Sequence, residues 1–274
     1  MGKQQRTIDF HVPRALVMGI LNVTPDSFSD GGTYLDPAMA VERALQMVDE
    51  GADIIDIGGE STRPGATPID AQAETERVIP VVRAVCRATS TPVSVDTYKV
   101  AVARLALAEG VAMLNDVWGG QREPAMLALA AAAKVPICLM HNRAEPRYRD
   151  LIGEIKCDLA SMSEQALRAG VPRGDIILDP GIGFGKTWQQ NLVVMQRLRE
   201  IVDLGFPLLI GTSRKSMIGH VLGLPVDERL EGTAATVAYS IAMGAKIVRV
   251  HDVKAMKRVA QMTDALMRGG ASVD

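Results

Sequence analysis

Ionisable and amide side chains recur in this chain just after short apolar runs, and their types sort into two chemistries. Asp96, Asn115 and Asp179 supply carboxylate and amide groups with no serine–histidine partnership beside them, so a nucleophilic triad is not evident. Such groups suit the edge of a flat nitrogen heterocycle, which would be costly to bury without hydrogen-bond partners. A carboxylate can take two parallel hydrogen bonds from an amino-pyrimidinone, as it does from a guanidinium. Arg63, Lys215, Arg249 and His251 form a cationic set. Ser213–Gly219 reads as the start of a helix, whose free N–H groups attract anions. The expectation is an anion site; the plainer alternative is a pair of surface arginines and a helix-starting serine.

The elements that must carry these groups are legible. Apolar runs lie at Leu16–Leu21, Ile54–Ile57, Val93–Val95, Val111–Leu114, Val135–Met140, Ile176–Leu178, Leu208–Ile210 and Ile247–Val250. They are short and rich in β-branched residues, as parallel strands buried on both faces are. Helical patterns lie between them, among them Pro37–Glu50, Val100–Glu109, Ile155–Ala169 and Asn191–Val202, several closed by glycine. Eight β/α units in 274 residues predict an α/β fold with a single (β/α)8 TIM barrel, which typically needs about 250 residues. A doubly wound open sheet is the structural alternative. No linker or composition break divides the chain, so residues 1–274 are expected to form one domain with its core at about 15–268.

In such a barrel the carboxyl ends of the strands converge on one face, where chemistry is done. The runs end at Asn22, Gly58-Gly59-Glu60, Asp96, Asn115-Asp116, His141, Asp179, Ser213-Arg214-Lys215 and Arg249-Val250-His251. Any one of these groups reads equally well as a strand-end cap; all of them together point to a mouth lined for binding. Asp56, inside its run, fits a core carboxylate bonded to backbone as well as it fits a site residue. Two long segments rich in turn formers, Asn22–Gly32 and Gly58–Pro68, follow the first two strands and are candidates for loops that close on substrate.

Composition narrows the function. The chain is 47% apolar and 23% charged with a formal charge of −2, which offers no basic field for nucleic acid or a membrane surface. The polar start, Met1–Val12, lacks the apolar core of a secretion signal, and a cytoplasmic location is expected by default. Cys86, Cys138 and Cys157 show neither disulfide nor zinc spacing, and the four histidines are scattered, so no protein-only transition-metal cage is expected. DPGIGFGKT looks like a phosphate loop, but Pro180 holds the place of its first glycine and the nucleotide reading fails.

Taken in order, GILNVTPDSFSDGG (Gly19–Gly32), GGESTRPG (Gly58–Gly65), SVDTYK (Ser94–Lys99), LNDVWG (Leu114–Gly119), LDPGIGFGK (Leu178–Lys186), SRKS (Ser213–Ser216) and RVHD (Arg249–Asp252) resemble the dihydropteroate synthase family. The resemblance runs from about Leu16 to the final helix. It implies a transferase that joins 6-hydroxymethyl-7,8-dihydropterin diphosphate to p-aminobenzoate, with Mg²⁺ on the diphosphate, a homodimer, and inhibition by sulfonamides. By the same resemblance Asp96, Asn115, Met140, Asp179 and Lys215 hold the pterin. Asn22, Arg63, Arg249 and His251 take the diphosphate, Asn22 together with the metal. Phe28, Thr62, Pro64, Phe184 and Ser216 surround p-aminobenzoate, and Asp96, Arg63 and Lys215 are the catalytic candidates. Members commonly read M-H-M-x-G after the fifth strand; Met140-His141-Asn142-Arg143-Ala144 departs from this, which bears on the shape of that loop. Two rival readings are a methyltetrahydrofolate-dependent corrinoid methyltransferase and a catalytically silent pterin-binding protein. The cationic set argues against the first, and the presence of Arg63, Lys215 and the Asn22 loop argues against the second.

Overall fold

The computed structural model describes residues 7–23, 37–60 and 67–267. The strands are β1 (Leu16–Asn22), β2 (Ile54–Gly58), β3 (Val93–Asp96), β4 (Met113–Asp116), β5 (Ile137–Met140), β6 (Ile176–Asp179), β7 (Leu209–Ile210) and β8 (Ile247–Val250). All pair in parallel, in the order β6-β5-β4-β3-β2-β1-β8-β7. A single parallel bridge, Leu178 to Leu208, brings the two edges together, and the sheet becomes a nearly closed barrel of the TIM type.

Helices follow the strands: α1 (Pro37–Asp49), α2 (Ala71–Ala88), α3 (Val100–Glu109), α4 (Ala125–Ala133), α5 (Leu151–Arg168), α6 (Trp188–Gln196), α7 (Leu198–Val202), α8 (Ser216–Leu222), α9 (Leu230–Ala242) and α10 (Val253–Met267). Local chemistry sets several of their starts. Asp70 and Asp150 accept backbone N–H groups at the first turns of α2 and α5, and Thr187 and Gln190 form a capping box on α6.

Period-two alternation divides each strand between two cores. Val17, Ile55, Ile57, Val95, Leu114, Leu139, Leu178 and Val248 face outward and pack with the helices. Leu16, Met18, Ile54, Met113, Cys138, Ile177, Leu209 and Ile247 fill the barrel interior, with Phe10 packed among them. Burying one such large side chain contributes about 1.5–3 kcal/mol. Continuing the alternation toward the carboxyl ends turns Asn22, Asp56, Gly58, Ser94, Asp96, Asn115, Met140, Asp179, Arg249 and His251 inward. The barrel therefore has an apolar floor and a polar upper layer.

The fourth strand lies two residues later than its apolar run suggests, so Asn115 and Asp116 are inside it. The Asn191–Val202 pattern is broken at Arg197, whose φ of −103° and ψ of 20° separate α6 from α7. The apolar face still continues across the break, through buried Leu198 and Ile201.

Candidate active site

Arg249 organises the polar layer. Its Nε donates to Asp56 Oδ2 at 2.6 Å, and a terminal nitrogen donates to Asp96 Oδ2 at 2.8 Å. Asn115 Nδ2 donates to the same Asp56 oxygen at 3.0 Å. Residues from β2, β3, β4 and β8 are thereby joined; the register sets Asp96 beside Gly58 and Asn115, with Asp56 two residues earlier beside Ser94. Burial opposes the Arg249 charge, but Asp56 and Asp96 outweigh it and hold its pKa above the usual range. Asp96 moves the other way. Burial, only partly offset by Arg249 and reinforced by Asp56, lifts its carboxyl to about 7. One cation faces two carboxylates, Asp56 and Asp96. Asp56 Oδ1 and Ser94 Oγ, on neighbouring strands, are buried without a hydrogen-bond partner among the described residues.

The far wall belongs to Asp179 and Lys215. Asp179 Oδ1 accepts from Gly181 N at 2.7 Å, while burial raises its pKa against the pull of Lys215. Lys215 Nζ donates to the carbonyl of Ile182 and lies 4.7 Å from the centroid of the Phe184 ring. Burial lowers its pKa to about 8, with Asp179 opposing. A strained turn aims this lysine: Arg214 is left-handed at φ 58°, which costs a residue bearing a side chain about 1–2 kcal/mol. Asp252 holds the Arg214 guanidinium at 2.5 and 3.0 Å, and Arg229 donates to its carbonyl at 3.0 Å.

The other expected residues are placed as follows. Asn22 ends β1, partly exposed, and its side chain makes no hydrogen bond to another described residue. His251 Nδ1 lies 2.9 Å from Ser213 Oγ. Met140 is buried at the end of β5, and Ser216 is exposed at the start of α8, later than the start at Ser213 that the sequence suggests. Phe28, Thr62, Arg63 and Pro64 lie outside the described residues. Asp116 and His141 do not join the polar layer. Asp116 accepts from Trp118 N and Gly120 N, both at 2.8 Å, and shapes the turn after β4. His141 lies beside Lys186. Asp56 bonds side chains rather than backbone, a role its position inside an apolar run did not reveal.

The layer thus offers inward carboxylates and an amide beneath a rim of cations, around an apolar floor. Residues 18–251 match the model of the family described as pterin binding enzymes. The chain belongs to this family. It falls among the dihydropteroate synthases. It is 52% identical over 257 residues to the dihydropteroate synthase of Bacillus subtilis, covering 94% of this chain and 90% of that one. The dihydropteroate synthase of Clostridium difficile, solved in the presence of pteroic acid, superposes with a TM-score of 0.91 at 49% identity, covering 93% of this chain and 97% of that one. That of Yersinia pestis, solved as a sulfonamide complex, gives 0.89 at 40%, covering 95% and 96%.

Proposed function

We propose that the carboxyl end of this barrel holds the pterin on its polar layer and p-aminobenzoate toward Phe184 and Ser216. Dihydropteroate synthesis is the chain's activity and makes it a transferase of folate biosynthesis. In the reaction the bond between the exocyclic methylene and the diphosphate oxygen breaks. A bond from the amine of p-aminobenzoate to that methylene forms, and the amine gives up a proton.

The observation that carries the residue assignment is the hydrogen-bonded set of buried Asp56 and Asn115 with half-buried Asp96 and Arg249, and buried Asp179 across from it. Asp179 and Asn115 present an acceptor and an amide to the amino-pyrimidinone edge, and Lys215 stands beside them for the ring carbonyl. As diphosphate leaves, positive charge grows on the pterin methylene. A nearby cation favours the ionised forms of Asp96 and Asp179, so these carboxylates stabilise the charge as it develops. Arg63 and His251 neutralise the diphosphate, and Arg249 does so from its seat between two carboxylates. Phe28, Thr62 and Pro64 are taken as the further residues of the p-aminobenzoate side, where excluding water protects the methylene.

Mg²⁺ enters this reading with the diphosphate. No three His, Cys, Asp or Glu side chains among the described residues stand together as a cage. Magnesium bound to phosphates keeps several waters and needs few protein oxygens. Asn22, with its amide unengaged by other described residues, fits such a shared site. When bound, the ion supplies positive charge against the leaving diphosphate.

The same reading takes residues 1–274 as one domain, working in the cytoplasm. No helix among the described residues is long and apolar enough to cross a membrane. It also takes the assembly as a homodimer. Val221, Leu222, Val226 and Leu230 are exposed around α8 and the start of α9 and offer an apolar face for it; a monomer in sedimentation would contradict this.

Diphosphate release from the pterin substrate, measured with Mg²⁺ and with or without p-aminobenzoate, tests the proposal. Release coupled to dihydropteroate formation, with sulfonamide competing against p-aminobenzoate, is the expected result. Tight pterin binding without product would contradict it.

A further inference from the structure

A second half-buried lysine stands beside the mouth and has no part in the chemistry above. Lys186 Nζ lies 2.9 Å from His141 Nδ1 and donates to the carbonyls of Gly181 and Phe184, both at 3.0 Å. Three protons meet three acceptors only if His141 is neutral with its proton on Nε2. Burial, with Lys186 as the next cause, holds the His141 pKa down to about 3, so it is neutral. Its Nε2 faces Asp158 Oδ2 at 3.3 Å, but at an angle that forms no hydrogen bond.

The acceptors of Lys186 span the turn from Gly181 to Phe184. This turn also presents the Phe184 ring and the Ile182 carbonyl to Lys215. The two lysines hold it at different carbonyls, Lys215 at Ile182 and Lys186 at Gly181 and Phe184. The turn rests on the segment after β5. A Cβ at Gly181 would stand 2.0 Å from the His141 carbonyl oxygen, and one at Gly185 would stand 2.4 Å from that of Arg143. Tyr148 donates to the Gly185 carbonyl at 2.8 Å, and Arg143 is tied to Glu154 and Asp158 at 2.6 and 2.7 Å. The segment that departs from the common M-H-M-x-G pattern is thus the bed on which this turn lies.

We propose that Lys186 is a positioning residue: through the turn Gly181–Phe184 it fixes the Phe184 ring, and so sets affinity on the p-aminobenzoate side of the site. It touches neither substrate. The inference rests on the reading that Phe184 lines that side. Removing Lys186 leaves the turn other anchors, since Gly181 N still donates to Asp179 and Gly183 N to Asn191 Oδ1 at 2.8 Å. The expected defect is a shift of the ring and not loss of the fold.

The test is steady-state kinetics of the full chain with Mg²⁺, varying each substrate in turn, for Lys186→Met, Lys186→Gln and Phe184→Ala. In Lys186→Met, the KM for p-aminobenzoate and the sulfonamide inhibition constant should rise about tenfold, a loss of about 1.4 kcal/mol. The KM for the pterin diphosphate and kcat should stay within about twofold, a split that general destabilisation would not give. Lys186→Gln keeps two donors and should raise the same constants about threefold; it carries the test alone if Lys186→Met does not fold. The proposal is overturned if both lysine variants match wild type while Phe184→Ala raises the KM for p-aminobenzoate, or if the two KM values rise together. If Phe184→Ala has no effect, the reading of Phe184 falls and the proposal falls with it.

Discussion

Arg249 Nε lies 2.6 Å from Asp56 Oδ2, a contact between residues 193 positions apart in the chain. It ties the last strand to the second at the base of the polar layer. Asp56 is fully buried and also takes the Asn115 amide, so one carboxylate oxygen orients two of the groups assigned to substrate.

Removing that carboxylate should therefore be costly. Asp56→Ala leaves the half-buried Arg249 guanidinium with one of its two carboxylates; breaking a fully buried pair from one side costs about 3–5 kcal/mol, and the partial exposure of Arg249 places the expected loss toward or below the lower end. Urea unfolding of the variant checks this; a loss below about 1 kcal/mol would show that Asp96 alone suffices for Arg249.

Asp179→Asn should weaken pterin binding about tenfold or more, because an amide cannot accept two hydrogen bonds in the carboxylate's geometry. Titration with a pterin ligand reads the effect directly. Unchanged affinity would remove Asp179 from the ring edge.

Arg63→Ala should lower kcat by about two to three powers of ten while isolated pterin binding stays largely intact. The comparison needs turnover and equilibrium binding on the same preparation. A negligible change in turnover would take Arg63 out of the chemistry.

The Asp96 carboxyl should shape the pH dependence of stability. Burial, against Arg249 and with Asp56, raises its folded pKa to about 7 from the ordinary 3.8 of an aspartate. Between these values the folded chain binds a proton that the unfolded chain has lost. Stability therefore falls as pH rises from about 4 to about 7 and is unaffected by this group above that. Asp116, lifted chiefly by burial to about 6, slopes the same way, so the diagnostic quantity is the difference between wild type and Asp96→Asn. The variant's profile should be flatter in this window; parallel profiles would contradict the shift.

Chelation of Mg²⁺ should abolish turnover, and Asn22→Ala should raise the Mg²⁺ needed for half-maximal rate about tenfold or more. Titrating Mg²⁺ at fixed pterin diphosphate decides it. Equal requirements would remove Asn22 from the shared site.

The barrel was legible because its strands are apolar on successive positions, as doubly covered parallel strands must be. Where function puts polar residues inside a strand, the pattern fails. Asn115 and Asp116 hide the end of β4, and the run before them places the strand too early. The continuous periodicity of Asn191–Val202 likewise conceals the break at Arg197, because the buried face survives it. Single residues at strand ends were readable as candidates; their partners were not. Nothing local in the sequence tells Asp56 that Arg249 will meet it, or Lys186 that His141 will. Both pairs are made by barrel closure and by the packing of one strand-end loop on its neighbour.

A co-crystal structure with pteroic acid, which carries both halves of the product, tests the site most directly. The expected result has the amino-pyrimidinone edge on Asp179 and Asn115, with the p-aminobenzoate half beside Phe184 and Ser216. A ligand bound outside the polar layer, or one inverted so that its carboxylate meets Asp179, would contradict the assignment.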